Sequence, residues 1–175
     1  MARSQIYAHA HVLLHEGEPP RAFSELLSLF TKAVEDADVG AFLELFHGDT
    51  TYDDVFDGVF TGRAQIRNMV EVNFHGRARD FRWEMHEPVS DGTIGYAHLT
   101  LSYTSTMKHN SGKRVVLSGC SQFQLRGEKI ASYREWAYGI AGLSQLDTPP
   151  QLIVRQAQRE SERIISRANP DTHRL

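Results

Sequence analysis

Asp54, Glu135 and His98 are the side chains of this sequence best suited to moving protons. A carboxylate at the mouth of a pocket accepts a proton once loss of water raises its pKa toward neutrality. An imidazole titrates near neutrality without help. Asp54 is one of four aspartates between positions 49 and 57, so it suits equally a turn in which it bonds nearby backbone amides. Glu135 lies in a β-patterned run from Lys129 to Tyr138; it either enters the interior with Tyr133 or pairs with an arginine such as Arg63 or Arg134. His98 points to the outer face of its strand if Leu99, Leu101 and Tyr103 line the core, and a one-residue slip in register reverses that choice. Along the strand from Arg114 to Arg126, Gly119, Ser121, Phe123 and Leu125 alternate with polar neighbours. That alternation turns Ser121 and Phe123 toward a pocket, with Ser121 as a hydrogen-bond donor. Tyr52 and Tyr133 are candidates for aromatic pocket walls.

Other chemistries find little support. There is no glycine-rich phosphate loop, no nucleophile elbow and no dyad activating a serine or cysteine. His9, His11 and His15 have metal-like spacing on an N-terminal arm, but no carboxylate or cysteine completes a set, so no metal is expected. The aspartate run lacks calcium-loop spacing. No cofactor is expected. The net charge is −3, with no concentrated basic footprint, which argues against a nucleic-acid partner. No stretch is apolar enough to span a membrane. The start, Met-Ala-Arg-Ser-Gln, lacks a signal-peptide core, and the single cysteine, Cys120, suits a reducing compartment. A cytoplasmic protein is therefore expected.

These residues need a scaffold, and the patterning describes one. An arm, residues 1–20, precedes a helix carrying Phe23, Leu26, Leu27, Phe30, Ala33 and Val34 on one face. Asp38 caps a second helix that Gly48 ends. Thr50-Thr51-Tyr52 begins a short strand before an acidic loop, and a third helix starts near Thr61-Gly62-Arg63. The period then changes to two. Four strands follow, with turns at Ser90-Asp91-Gly92, His109 to Gly112, and Gly127-Glu128. Pro149-Pro150 opens a polar final helix that must dock on the domain or on a partner. The expected organisation is an arm (1–20), a domain (21–147), and a C-terminal helix and tail (148–175). The fold class is α+β: a curved antiparallel or mixed sheet wrapped around three N-terminal helices.

The order of elements resembles the SnoaL-like branch of the nuclear transport factor 2-like superfamily, a cone-shaped α+β fold. The likeness rests on Ala37-Asp38, Phe46-His47-Gly48-Asp49, Tyr52-Asp53-Asp54, Phe60-Thr61-Gly62-Arg63-Ala64-Gln65-Ile66, Tyr133-Arg134-Glu135-Trp136 and Leu143-x-Gln145-Leu146. It implies a pocket for a small apolar organic molecule, in the manner of polyketide cyclases, and a homodimer formed through the outer sheet face. In ketosteroid isomerases the matching aspartate is the general base, which puts that role on Asp54. Their oxyanion-hole tyrosine falls on Phe30 and their protonated aspartate on Ser121, so that scheme lacks its strong donors here. Limonene epoxide hydrolases carry an aspartate near Glu135, but their Arg-x-Asp has no match in Ala97-His98-Leu99. The resemblance leaves two readings: cofactor-free acid–base catalysis of the isomerase, cyclase or dehydratase kind, or a non-catalytic binding or dimerisation module.

Overall fold

The computed structural model describes residues 21–173. The three N-terminal histidines lie outside that range.

Helix α1 (Arg21–Glu35) buries the apolar stripe read from its spacing, with Phe30 and Val34 fully enclosed. A short turn leads to α2 (Val39–Glu44), where the Asp38 carboxylate accepts from the Ala41 amide at 2.9 Å. This cap satisfies a donor that the first turn leaves without an intrahelical partner. Asp38→Ala should cost about 1 kcal/mol in chemical denaturation, a cap's typical contribution.

The segment after α2 departs from expectation. Gly48 does not end the helix, which stops at Glu44; it lies within strand β1 (Phe46–Asp54). The acidic loop is a tight hairpin, and β1 pairs antiparallel with a short strand β2 (Gly58–Thr61) absent from the sequence reading. Four residues, half of them exposed, leave too little alternation to register as a strand. Helix α3 (Gly62–Asn68) then widens into a π-helical turn, Met69–Phe74.

Strands β3 (Ala78–Ser90), β4 (Ile94–Ser105), β5 (Arg114–Arg126) and β6 (Lys129–Ala137) form the expected meander. With β1 and β2 they make one six-stranded sheet in the order β2-β1-β6-β5-β4-β3. The β1–β6 pair is parallel and the others antiparallel, so the sheet is mixed. It curves. Asp80 and Glu87, both at positive φ, coincide with the two register shifts in the β3–β4 pairing, and such bulges bend a strand. The concave face receives α1, whose Phe23 ring sits over Gly95 and leaves no room for a Cβ there.

After β6 come α4 (Gly139–Gln145), α5 (Pro150–Arg167) and a final turn α6 (Pro170–His173). The polar helix α5 does dock on the domain. Arg167 bonds the Asp53 carboxylate at 2.6 Å, Arg163 the Asp54 and Val55 carbonyls, and the buried Gln156 amide the Val55 and Phe56 carbonyls. These bonds tie α5 to the β1–β2 hairpin, supplying the stability that its composition lacks alone. None of the described helices is long and apolar enough to cross a membrane.

Candidate active site

The two carboxyl groups singled out in the sequence meet in the interior. Asp54 is the last residue of β1, just before the hairpin. Its Oδ1 accepts from the Phe56 amide at 2.8 Å and the Asp57 amide at 2.7 Å. The turn role considered for Asp54 is therefore real, and it occupies one oxygen only. Glu135 lies on β6, adjacent to β1 and opposite Ser121 of β5. Its Oε1 accepts from the Val55 amide at 3.2 Å, and its Oε2 accepts from the Tyr133 hydroxyl at 3.1 Å. Ser121 Oγ lies 2.8 Å from that hydroxyl. With Tyr133 donating to Glu135, the serine donates in turn, giving a chain from Ser121 through Tyr133 to Glu135.

The arginine partners considered for Glu135 are engaged elsewhere. Arg134 pairs with Asp53 at 2.9 Å, while Arg63 bonds the Phe46 carbonyl and Glu44. No cation among the described residues forms an ion pair with Glu135 or with the Asp54 carboxylate. Both carboxyls are buried, at 5 % and 9 % exposure, so water cannot compensate for the missing cation.

Their acidities respond accordingly. Burial pushes Asp54 up to about 6; the two backbone amides and the Arg163 charge oppose that rise, and the Asp57 charge adds to it. Burial pushes Glu135 up to about 8, the neighbouring Asp54 carboxyl adds to that rise, and the Val55 amide and Tyr133 hydroxyl oppose it. Two neighbouring carboxylates resist carrying two charges. Near neutral pH the pair thus holds one proton, and Glu135 is its better holder because Asp54 has the two good amide donors. Tyr133 remains a phenol, since burial and the Glu135 charge hold it well above its ordinary range.

Asp54 and Glu135 open onto a cavity of about 440 Å³. Its walls are mainly apolar: Phe74, Phe81, Trp83, Leu101, Tyr103 and Leu117 from the helical turn and sheet, with Leu143, Leu146 and Leu152 from α4, the following turn and α5. A cavity this size takes a small organic molecule. Among the described residues no cluster of histidine, cysteine, aspartate and glutamate could hold a metal ion.

The remaining expected site residues are distributed differently. His98 is exposed on the outer sheet face, bonded to Ser118 and beside His86. Leu99 and Leu101 are buried on the inner face, and the alternation of the pleat turns His98 outward. It is not part of the cluster. Phe30, Tyr52 and Phe123 do not line the cavity. They form the aromatic core behind it: Phe30 packs against Phe123 and Tyr133, and Tyr52 lies 4.5 Å from the Tyr133 ring. Ser121 and Tyr133 are likewise buried behind the cavity and reach it only through Glu135. The cavity lining also includes residues that the sequence analysis did not name as site residues. Among them are Leu143, Leu146, Leu152, Arg155 and Arg159. Leu143 and Leu146 belong to a motif that carried the resemblance, whereas Leu152, Arg155 and Arg159 come from the polar final helix, whose docking site the sequence left open.

The comparisons with known proteins agree with this architecture. A search of the curated proteins returns no match. Among solved structures, a protein of Catenulispora acidiphila with a ketosteroid isomerase-like fold, in complex with trimethylamine, superposes with TM-score 0.65 at 20% identity, covering 75% of this chain and 96% of that one. A limonene epoxide hydrolase-like enzyme of Mycobacterium tuberculosis gives 0.58 at 18%, covering 70% and 86%. SalBIII, an epoxide hydrolase/cyclase-like enzyme in pyran ring formation in the polyether salinomycin, gives 0.57 at 26%, covering 65% and 88%. The model of the SnoaL-like domain matches residues 27–133, more than half of the sequence. The chain therefore belongs to the SnoaL-like family, with the cone-shaped fold of the nuclear transport factor 2-like superfamily.

Proposed function

We propose that this protein is a cofactor-free acid–base enzyme acting on a small, mostly apolar, oxygen-bearing molecule, by isomerisation, cyclisation or dehydration. The observation that carries the reading is the Asp54–Glu135 pair: two buried carboxyls with no ion-pair partner among the described residues, open to an apolar cavity, with their acidities pushed apart around neutrality. A merely structural carboxyl pair in such a place is costly, whereas a base near 6 beside an acid near 8 suits proton transfer at pH 7.

In the proposed step Asp54 takes a proton from a carbon next to a substrate carbonyl. The C–H electron pair moves toward the carbonyl, and the oxygen that gains charge takes the Glu135 proton. Return of a proton from Asp54 to another carbon, and of the oxygen proton to Glu135, completes an isomerisation. In a cyclisation the enol carbon instead attacks a second carbonyl of the same molecule, the oxygen of that carbonyl takes the proton held by Asp54, and the enol O–H proton returns to Glu135 as the first carbonyl re-forms. Glu135 here does the work for which relatives use a tyrosine and a protonated aspartate at the positions of Phe30 and Ser121. Ser121 and Tyr133 are positioning residues, and His98 has no part. The role of SalBIII, at 26% identity, in pyran ring formation supports the inclusion of cyclisation.

The test is 5-nitrobenzisoxazole, a small neutral substrate whose ring opens to a coloured phenolate when a base removes its C–H proton. A rate no greater than that of an equal concentration of acetate refutes the reading and leaves the ligand-binding module. Tyr133→Phe checks the positioning role. The variant removes a donor to the charged form of Glu135, so the alkaline limb of the pH–rate profile should move to higher pH. An unmoved limb would exclude it.

Two wider expectations belong to the same proposal. The outer sheet face, where Tyr96, Val116 and Trp136 are exposed, would form the homodimer contact. The lone, half-buried Cys120 fits a cytoplasmic setting.

A further inference from the structure

The cavity mouth has a feature that the proton-transfer scheme does not use. Arg155, Arg159, Arg163 and Arg167 recur every four residues along α5, which places them on one face of the helix. The last two are occupied with the β1–β2 hairpin, through the Asp54 and Val55 carbonyls and the Asp53 carboxylate. The first two line the cavity. Arg159 donates to the neutral Gln156 amide oxygen, and Arg155 forms no side-chain hydrogen bond among the described residues. Neither has a carboxylate within 4.0 Å among those residues, whereas the third arginine of the cavity lining, Arg77, is paired with Asp57 at 3.2 Å. His109 also lines the cavity.

We propose that Arg155 and Arg159 form an anion subsite at the cavity mouth, which selects organic anions: an apolar body carrying a carboxylate or an equivalent anionic oxygen group. The proposal rests on the cavity being a ligand site, as proposed above, and it names the class of ligand. Arginine suits this task because its planar fork matches two anionic oxygens. The spacing also sets a ligand length. Arg163 touches the Asp54 carbonyl, and each step of four residues rises about 6 Å along a helix. The anion would thus sit roughly 6 to 12 Å along the axis from the Asp54 backbone, about the span of one or two fused rings. Phe56, Phe74, Leu146 and Leu152 line the same cavity and would hold the apolar body. The family match covers residues 27–133 and α5 begins at Pro150, so both arginines lie outside the matched residues.

A matched pair of dyes tests this. 8-Anilinonaphthalene-1-sulfonate is anionic; N-phenyl-1-naphthylamine is the same aromatic body without the sulfonate. In fluorescence titrations at moderate salt, the anionic dye should bind about tenfold more tightly than the neutral one, the scale of one well-placed charge-assisted contact. Arg155→Gln/Arg159→Gln should erase that difference with less than a twofold change for the neutral dye, and Arg155→Lys/Arg159→Lys should keep most of it. Octanoate should displace the anionic dye, and equimolar inorganic phosphate should not. Equal affinities of the wild type for the two dyes, or a glutamine variant that still prefers the anionic dye, would overturn the subsite. Failure of both dyes to bind would overturn the cavity as a ligand site as well. The acid–base reading is decided separately, because 5-nitrobenzisoxazole carries no anion and Asp54→Asn, which removes a negative charge from the same cavity, should not weaken the preference for the anionic dye.

Discussion

Asp54→Asn should lower the rate of proton removal from 5-nitrobenzisoxazole at pH 7 by about 10² to 10⁴-fold, the usual contribution of a positioned general base. The substitution isolates basicity from structure. An asparagine Oδ1 can still accept from the Phe56 and Asp57 amides, so the hairpin that positions the group should survive. What disappears is the second oxygen's ability to hold a proton. The wild-type pH profile should carry the same information. The base is charged above about 6 and the acid protonated below about 8, so the rate should rise through the first value, peak near neutrality and fall through the second. Because the groups share one proton, the two limbs describe the pair. The Asn variant should lose the acid limb together with the rate. Activity within threefold of wild type would remove Asp54 from the mechanism.

The second large effect concerns stability. Both carboxyls bind their proton more tightly in the folded protein than in the unfolded chain, where such groups titrate near 4. Between the unfolded value and about 8 the folded state therefore holds more protons, and stability falls as pH rises. The contribution is fully present below about pH 4 and gone above about pH 8. Since one pKa unit corresponds to about 1.4 kcal/mol, Glu135 alone makes this loss on the order of 3 to 5 kcal/mol. Glu135→Gln removes the group that must ionise. Its amide oxygen can keep the Val55 bond, and its NH₂ can donate to Tyr133, which then turns its own proton to Ser121. The variant should lose most of the decline between pH 5 and pH 9 in urea denaturation and be the more stable protein at pH 9. An equally steep decline would mean that Glu135 ionises freely and is not desolvated.

These two predictions depend on a cluster that the sequence described only in part. Asp54 and Glu135 could be selected as titratable groups because each lies beside a recognisable element, an aspartate-rich strand end and an alternating strand. The sequence left Glu135 open between entering the interior with Tyr133 and pairing with an arginine, and the fold decided for the interior. Parity settled His98, once β4 had a definite register: Leu99 and Leu101 inside require His98 outside. The same rule placed Ser121 and Phe123 on the inner face correctly, yet could not say how deep. An inner face includes both cavity wall and solid core, and only the packing of Phe30, Tyr52, Phe123 and Tyr133 against one another separates the two.

What the amino-acid order determined by itself is local and periodic: the buried stripe of α1, the Asp38 cap, the turns of the meander, and the α+β class that follows from them. These depend on interactions between residues close in the chain, whose geometry is set by 3.6- and 2-residue periods. Only the tertiary structure decided that Arg63 and Arg134 are engaged elsewhere, so that Glu135 lies beside Asp54 with no ion-pair partner among the described residues. Only it placed α5 over the hairpin with two arginines at the cavity mouth. The physical reason is range. Desolvation and charge pairing depend on which atoms surround a group in space, and those atoms come from positions about 80 to 110 residues away along the chain.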